Sequence, residues 1–148
     1  GMYEYSGIGI NGKNTEVHAA VGHCVLDNID SIMKKRKAQF LFYETKLKKL
    51  EFLTFQKIRK NTIHNCSYFP IIIKNEHLLL KLKETLDLNN INTRRYFYPS
   101  LNTLHFMQGP TLPISEDLAS RVLCLPLYHD LTISSQNIIC DLIINSLK

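Results

Sequence analysis

From Thr15 onward the apolar positions fall into a helical rhythm. Val17, Ala20, Val21 and Cys24 keep one face, and Ile29, Met33, Phe40, Tyr43, Leu47 and Leu50 continue it at steps of three and four. No proline interrupts residues 15–50. The pattern predicts one long helix with a break near Asp27 to Asp30. Asn14 or Thr15 is placed to cap its start, and Glu16 sits in the first turn, where a carboxylate opposes the helix dipole. Residues 3–14 hold three glycines, two asparagines and no apolar period, which predicts an irregular lead-in.

The rhythm then shortens. Phe52 to Phe55 is brief and β-prone, and residues 66–73 form an apolar run that reads as a strand. Pro70 inside that run predicts an edge position or a bulge, because proline has no N–H for a ladder. Asn75 is placed to cap a helix in which Leu78, Leu79, Leu82 and Leu86 share a face, ended by Leu88-Asn89-Asn90. Residues 92–98 predict a further strand stopped by Pro99, and residues 107–114 a loop. Ser115 is expected to cap a short helix, with Glu116 and Asp117 in its first turn. Leu123 to Tyr128 is extended, and Thr132 or Ser134 opens a last helix with Ile138, Ile139, Leu142, Ile143 and Leu147 inward. Adjacent strands without a crossover predict an α+β fold. It joins a long N-terminal helix to a small, largely antiparallel sheet with helices on one face. The expected organisation is a lead-in over 1–14, a linking helix over 15–50 and a small α/β domain over 51–148.

Composition narrows the class. The 148 residues are 45% hydrophobic and 21% charged, ordinary for a soluble globular domain. No apolar run approaches the roughly 20 residues that span a bilayer, and no signal peptide is visible, so a cytoplasmic protein without membrane contact is expected. The four cysteines form no C-x-x-C pair, which argues against zinc and predicts reduced, mostly buried thiols. In that setting the glycosylation pattern Asn65-Cys66-Ser67 is idle. The histidines lack ligand spacing: His18 and His23 are five apart and do not share a face. The net charge of +5 is concentrated in Lys34 to Lys37, Lys46 to Lys49 and Lys57 to Lys60. These clusters read as solvated helix faces rather than a nucleic-acid stripe. Gly7-Ile-Gly-Ile-Asn-Gly12 fits G-x-G-x-x-G, but no core strand precedes it, so the dinucleotide reading fails.

A stronger signal runs through most of the chain in order. Gly9-Ile-Asn-Gly-Lys-Asn-Thr-Glu-Val-His-Ala-Ala, then Leu26-Asp-Asn-Ile-Asp with Arg36 and Tyr43, open it. Ser67-Tyr-Phe-Pro-Ile, Asn92-Thr-Arg-Arg-Tyr-Phe-Tyr-Pro and Leu118-Ala-Ser-Arg-Val-Leu-Cys-Leu-Pro-Leu-Tyr follow. Together they resemble the region past the lysine in the DegT/DnrJ/StrS family of pyridoxal-phosphate-dependent sugar aminotransferases. The Arg-Arg-Tyr-Phe-Tyr-Pro stretch is most similar to members that aminate 3-keto-6-deoxy sugars on dTDP.

The resemblance implies the C-terminal small domain of a fold-type I aminotransferase. It implies a pyridoxal phosphate cofactor, a nucleotide-linked keto sugar and an amino-acid donor for the parent enzyme. The family's Schiff-base lysine and the acid at the pyridinium nitrogen belong upstream of the matched region, and Lys13 stands where the family has an arginine. The chain alone is therefore expected to hold no cofactor, to have no catalytic residue of its own and to be inactive.

By the same resemblance Asn11 and Lys13 are the cofactor-binding candidates, through the phosphate. Arg95, Tyr96, Tyr98 and Asn102 are the substrate-binding candidates. Read without it, Asn11 is a turn residue, and Tyr96 and Tyr98 are a cross-strand aromatic pair. A homo-oligomer, or a separately encoded cofactor half, is expected to cover the first helix. The competing expectations are a non-catalytic binding or assembly module from a truncated or split gene, and a basic nucleic-acid binder.

Overall fold

The computed structural model describes residues 4–107 and 109–147; residues 1–3 of the expected lead-in, Gln108 and Lys148 lie outside them. Helices α1 (Glu16–Leu26) and α2 (Ile29–Leu47) come first. They cover most of the expected long helix, and its expected break falls at Asp27 and Asn28. Thr15 caps α1, its hydroxyl accepting from the His18 N–H. Then come β1 (Leu53–Phe55), β2 (Phe69–Ile73), α3 (Glu76–Leu88), a short 3-10 turn at Leu101–Thr103, α4 (Pro113–Arg121), β3 (Val122–Leu125) and α5 (Ile133–Ser146).

The sheet is antiparallel throughout, in the order β1-β2-β3, with Ile71 paired to Phe55 on one side and Leu123 on the other. Alternation sends Leu53, Phe69, Ile71, Ile73, Leu123 and Leu125 to one face. That face buries against Tyr43 and Leu47 of α2, Leu79, Leu82 and Leu86 of α3, and Ile139, Cys140 and Ile143 of α5. The result is the expected α+β layer, with the three long helices α2, α3 and α5 on one side of a small sheet. The short α4 borders the opposite face, where Leu118 and Ala119 share a groove with Pro70, Ile72 and Val122.

Five local expectations are corrected. Pro70 lies in the central strand, not at an edge. Cys124, opposite it, spends both its N–H and its C=O on Arg94, on the far side of β3. Pro70 and Cys124 are therefore a non-hydrogen-bonded pair, and the proline nitrogen faces the β1 side. There the ladder already ends at Phe55 and Ile71, so no donor is missed. The expected strand over 92–98 shrinks to a single bridge at Arg94. Arg95 turns inward, and the Tyr96 ring stacks on Tyr68 and Phe97 instead of joining a cross-strand row. Ser115 does not cap α4. That helix starts at Pro113, and Glu116 folds back to accept from the Leu112 N–H at 2.8 Å. Ile138 points outward at 54% exposure, while Ile139 and Ile143 fill the core. The strand expected from residue 66 begins at Phe69, because Cys66 has φ 49° and cannot sit in a ladder.

The cysteines are all free thiols, with Cys66, Cys124 and Cys140 buried and Cys24 exposed on α1. Helix α1 buries nothing: Val17, Val21 and Val25 stand 72%, 58% and 46% exposed. Stability should follow this division. Leu82→Ala, at a fully buried position, should cost about 3 kcal/mol by the cavity it leaves. Val21→Ala should cost less than about 0.5 kcal/mol. Urea unfolding measures both, and equal losses would place α1 inside the cooperative core.

Candidate functional site

The sequence candidates fall in two places. Asn11 and Lys13 lie on the exposed lead-in, where Lys13 shares a shallow hollow with Gly12, Asn14, Thr15 and His18 at the start of α1. The second place is the segment between α3 and α4. The two regions meet at Tyr5, whose hydroxyl donates to the Tyr98 carbonyl at 3.4 Å.

Arg95 is 7% exposed and committed within the chain. Its Nη2 donates to Glu76 Oε1 at 2.6 Å and to the Ser120 carbonyl at 3.0 Å. It thereby fastens the start of α3 to the end of α4. Its guanidinium lies 3.5 Å from the centre of the Tyr98 ring, a cation–π contact that holds that ring behind the segment. Asn102 is an internal staple too. Its Nδ2 donates to Glu116 Oε1 at 2.6 Å and to the Pro110 carbonyl at 3.2 Å, and its Oδ1 accepts from Ser100 Oγ at 2.7 Å. Glu116 thus gathers two donors, the Leu112 N–H and the Asn102 amide. Together they hold its carboxyl below its ordinary value of 4.5.

Tyr96 faces outward. It stacks on Tyr68 at 5.2 Å and on Phe97 at 4.1 Å between centroids, with the Arg94 guanidinium 5.2 Å from its ring. The neighbouring Tyr96 phenol raises Tyr68 above its usual range. Tyr96 and Asn102 help line a groove of about 740 Å3 on the open face of the sheet, floored by Pro70, Ile72 and Val122. Arg95 and Tyr98 lie outside that lining. Of the substrate candidates the structure therefore brings Tyr96 and Asn102 to one groove and uses Arg95 to brace it.

Several groups here carried no local signal. Glu76 stands 19 residues from Arg95, and Tyr68 is 28 residues from Tyr96, so only the fold makes them neighbours. Phe97 lies within the expected strand over 92–98 and instead exposes 58% of its surface at the groove rim.

The described residues do not build a complete pyridoxal phosphate site. A Schiff-base lysine needs a sheltered amine, yet every described lysine except Lys83 is exposed, and Lys83 is paired to Asp87 at 2.5 Å. The three buried thiols are poor nucleophiles: burial pushes Cys124 and Cys140 up to about 11 and raises Cys66. Among the described residues no cluster of three His, Cys, Asp or Glu is placed to hold a metal ion. No described helix is long and apolar enough to cross a membrane.

Known proteins share both the sequence pattern and the fold of this chain. The DegT/DnrJ/EryC1/StrS aminotransferase family matches residues 1–144. The chain belongs to this family. An Escherichia coli dTDP-4-amino-4,6-dideoxy-D-glucose transaminase is 38% identical over 131 residues, covering 83% of this chain but 35% of that protein. A Vibrio cholerae GDP-perosamine synthase is 27% identical and covers 97% of this chain against 40% of its own length. The solved structure of S. venezuelae DesV in complex with a ketimine intermediate superposes with a TM-score of 0.81 at 21% identity, over 99% of this chain and 40% of that one. At that identity the likeness establishes the fold. The chain therefore spans little more than a third of the length of its relatives.

The Glu116 hub predicts a pH signature. A carboxyl whose folded value is depressed contributes stability that is complete above the unfolded value. That stability is lost as pH falls through the folded value. The Leu112 amide resonance should therefore titrate with a midpoint below 4.5, and Glu116→Gln should remove the titration. A midpoint at or above 4.5 in an NMR pH series would show that the carboxyl does not hold this loop.

Proposed function

We propose that this chain is the small-domain part of a pyridoxal-phosphate-dependent aminotransferase acting on a nucleotide-linked keto sugar, and that it is inactive alone. One observation carries the reading: nearly all of the chain aligns with such enzymes, yet it fills only about 40% of their length. The surface placement of the lysines supports the inactivity. In this reading residues 15–50 link to a cofactor domain and residues 51–148 form the small domain. The donor is an amino acid such as glutamate, and the setting is cytoplasmic.

Within an assembled site, Asn11 and Lys13 would border the cofactor phosphate beside the start of α1, where free N–H groups favour an anion. Tyr96 and Asn102 would face the sugar nucleotide, with Arg95 and Tyr98 setting their position. The E. coli relative carries its amino group at C4 by name, and on that ground we place the new amine at C4 of a dTDP-linked 6-deoxy sugar. The Arg-Arg-Tyr-Phe-Tyr-Pro stretch pointed to C3 instead.

A second reading is favoured by α1. Its unburied valines form a stripe at intervals of four, Val17, Val21 and Val25. A chain that displays such a stripe acts as an assembly module, covering it with another copy of itself or with a separately encoded cofactor half.

Both readings are testable. After incubation with pyridoxal phosphate and reduction by borohydride, mass spectrometry should find no lysine labelled stoichiometrically, and no transamination should be measurable. Turnover with one labelled lysine would overturn the inactivity. Sedimentation of the chain should show a dimer or larger species that Val21→Asp shifts toward monomer, and a monomer at high concentration would remove the assembly reading.

A further inference from the structure

We propose that the hollow between the end of α3, the loop after β3 and α5 is a binding site for one neutral sugar ring. It lies on the helical side of the sheet and shares no lining residue with the Tyr96 groove. The proposal therefore stands whether or not the chain contributes to aminotransfer.

The hollow encloses about 370 Å3, at the small end of the ~300–1,000 Å3 typical of small-molecule sites. That size suits one ring rather than a chain of them. Leu131 and Ile139 are buried apolar groups in its lining. Asn90, Asn92, Tyr128 and Ser135 supply its polar edge. The side-chain amides of Asn90 and Asn92 and the Tyr128 hydroxyl have no hydrogen-bond partner within the described chain. Each amide offers two donors and an acceptor, and a phenol offers one donor and an acceptor. Tyr128 is 52% exposed, so a face of its ring is free for the C–H edge of a saccharide.

No ionisable group other than this phenol lines the hollow. A charged ligand would leave water without a counter-charge to meet it, which is costly. A purely apolar ligand would cover free amide groups and leave them unpaired. A polyhydroxylated, uncharged ring satisfies both conditions, since it presents hydroxyls to the amides and C–H groups to Tyr128 and the apolar lining.

Both walls are held in advance. Asn90 is fixed at φ 58°, with its N–H on the Asp87 carbonyl at 2.9 Å and the Ile91 N–H on the Leu86 carbonyl at 2.9 Å. Across from it, the buried Gln39 amide donates to the Tyr128 carbonyl at 2.8 Å and to the Leu131 carbonyl at 2.9 Å. A solvent-facing loop is thus anchored from inside, which is the preorganisation that weak polar ligands require.

The test is an NMR titration of the 148-residue chain with methyl β-D-glucopyranoside, with glucose 1-phosphate as the charged control and dTDP-glucose as the nucleotide-linked arm. The glucoside should give saturable shifts at Asn90, Asn92 and Ser135. Asn92→Ala and Tyr128→Ala, both at exposed positions, should each weaken binding about tenfold or more with the circular dichroism unchanged. Glucose 1-phosphate should bind more weakly than the glucoside. If dTDP-glucose moves the same residues with higher affinity, the sugar belongs to a nucleotide-linked ligand; if not, to a free or glycan sugar. The proposal is overturned by unsaturable shifts, by shifts confined to the Tyr96 groove, by variants that bind as tightly as the parent, or by preference for the phosphate.

Discussion

A single residue of α2 joins parts of this molecule that lie far apart in sequence. Gln39, on α2, donates through Nε2 to the carbonyls of Tyr128 and Leu131. Its own main-chain carbonyl accepts from the buried Gln136 of α5 at 3.0 Å. One turn along α2, the Tyr43 hydroxyl donates to the Pro126 carbonyl at 3.0 Å. These bonds lock α2, α5 and the 126–131 loop into one arrangement. They are not a large source of stability. Each is worth about 0.5–1.5 kcal/mol net, while a buried unpaired acceptor costs about 1–3 kcal/mol, and Gln39 Oε1 and Gln136 Oε1 are both unpaired. Gains and costs are of one size. What the network supplies is geometry: among the ways α2 and α5 might slide on an aliphatic core, only one seats these donors on their carbonyls.

The open face of the sheet follows a different rule. The helical face is filled by Leu, Ile, Phe and Tyr side chains that would pack in many small domains. The other face is left to a segment with little secondary structure, and polar ties take over the work of packing. Arg95 fastens it to α3 and α4, Glu116 collects Leu112 and Asn102, and Tyr68 receives Tyr96. A loop held by charge-assisted bonds from buried or braced groups can present Tyr96 and Phe97 to solvent without collapsing onto the strands. This is how a small scaffold supports a groove.

Local physics made much of the fold legible in the sequence. The caps at Thr15, Asn75 and Thr132 and the leucine spacing of α3 are short-range features, and all appear where the pattern put them. Aromatic and β-branched content misled at 92–98, because propensity there competes with an inward Arg95 whose partners are 19 and 25 residues away. Pro70 misled for a related reason: an edge is a property of the ladder around a residue, not of the residue. Around the groove, resemblance named candidates, and the structure decides where each of them lies. Their division into those that face the groove and those that brace it could not be read from sequence, since it depends on which side of the segment each side chain leaves.

Helix α1 is where sequence and structure pose one question together. It is 11 residues long, capped at Thr15 and buried nowhere. Isolated helices shorter than about 12–15 residues are marginal in water, so capping alone is a weak reason for it to persist. Its valine stripe is open to a partner surface, and that bears on both functional readings. If another copy covers the stripe, the same residues are closed to a cofactor domain. If a cofactor domain covers it, self-association must first be released. The two covers compete for one face, so the free energy of any self-association subtracts from the affinity of complementation. A chain that assembles tightly with itself is for that reason a poor half-enzyme, and the strength of its self-association bears directly on which of the two readings holds.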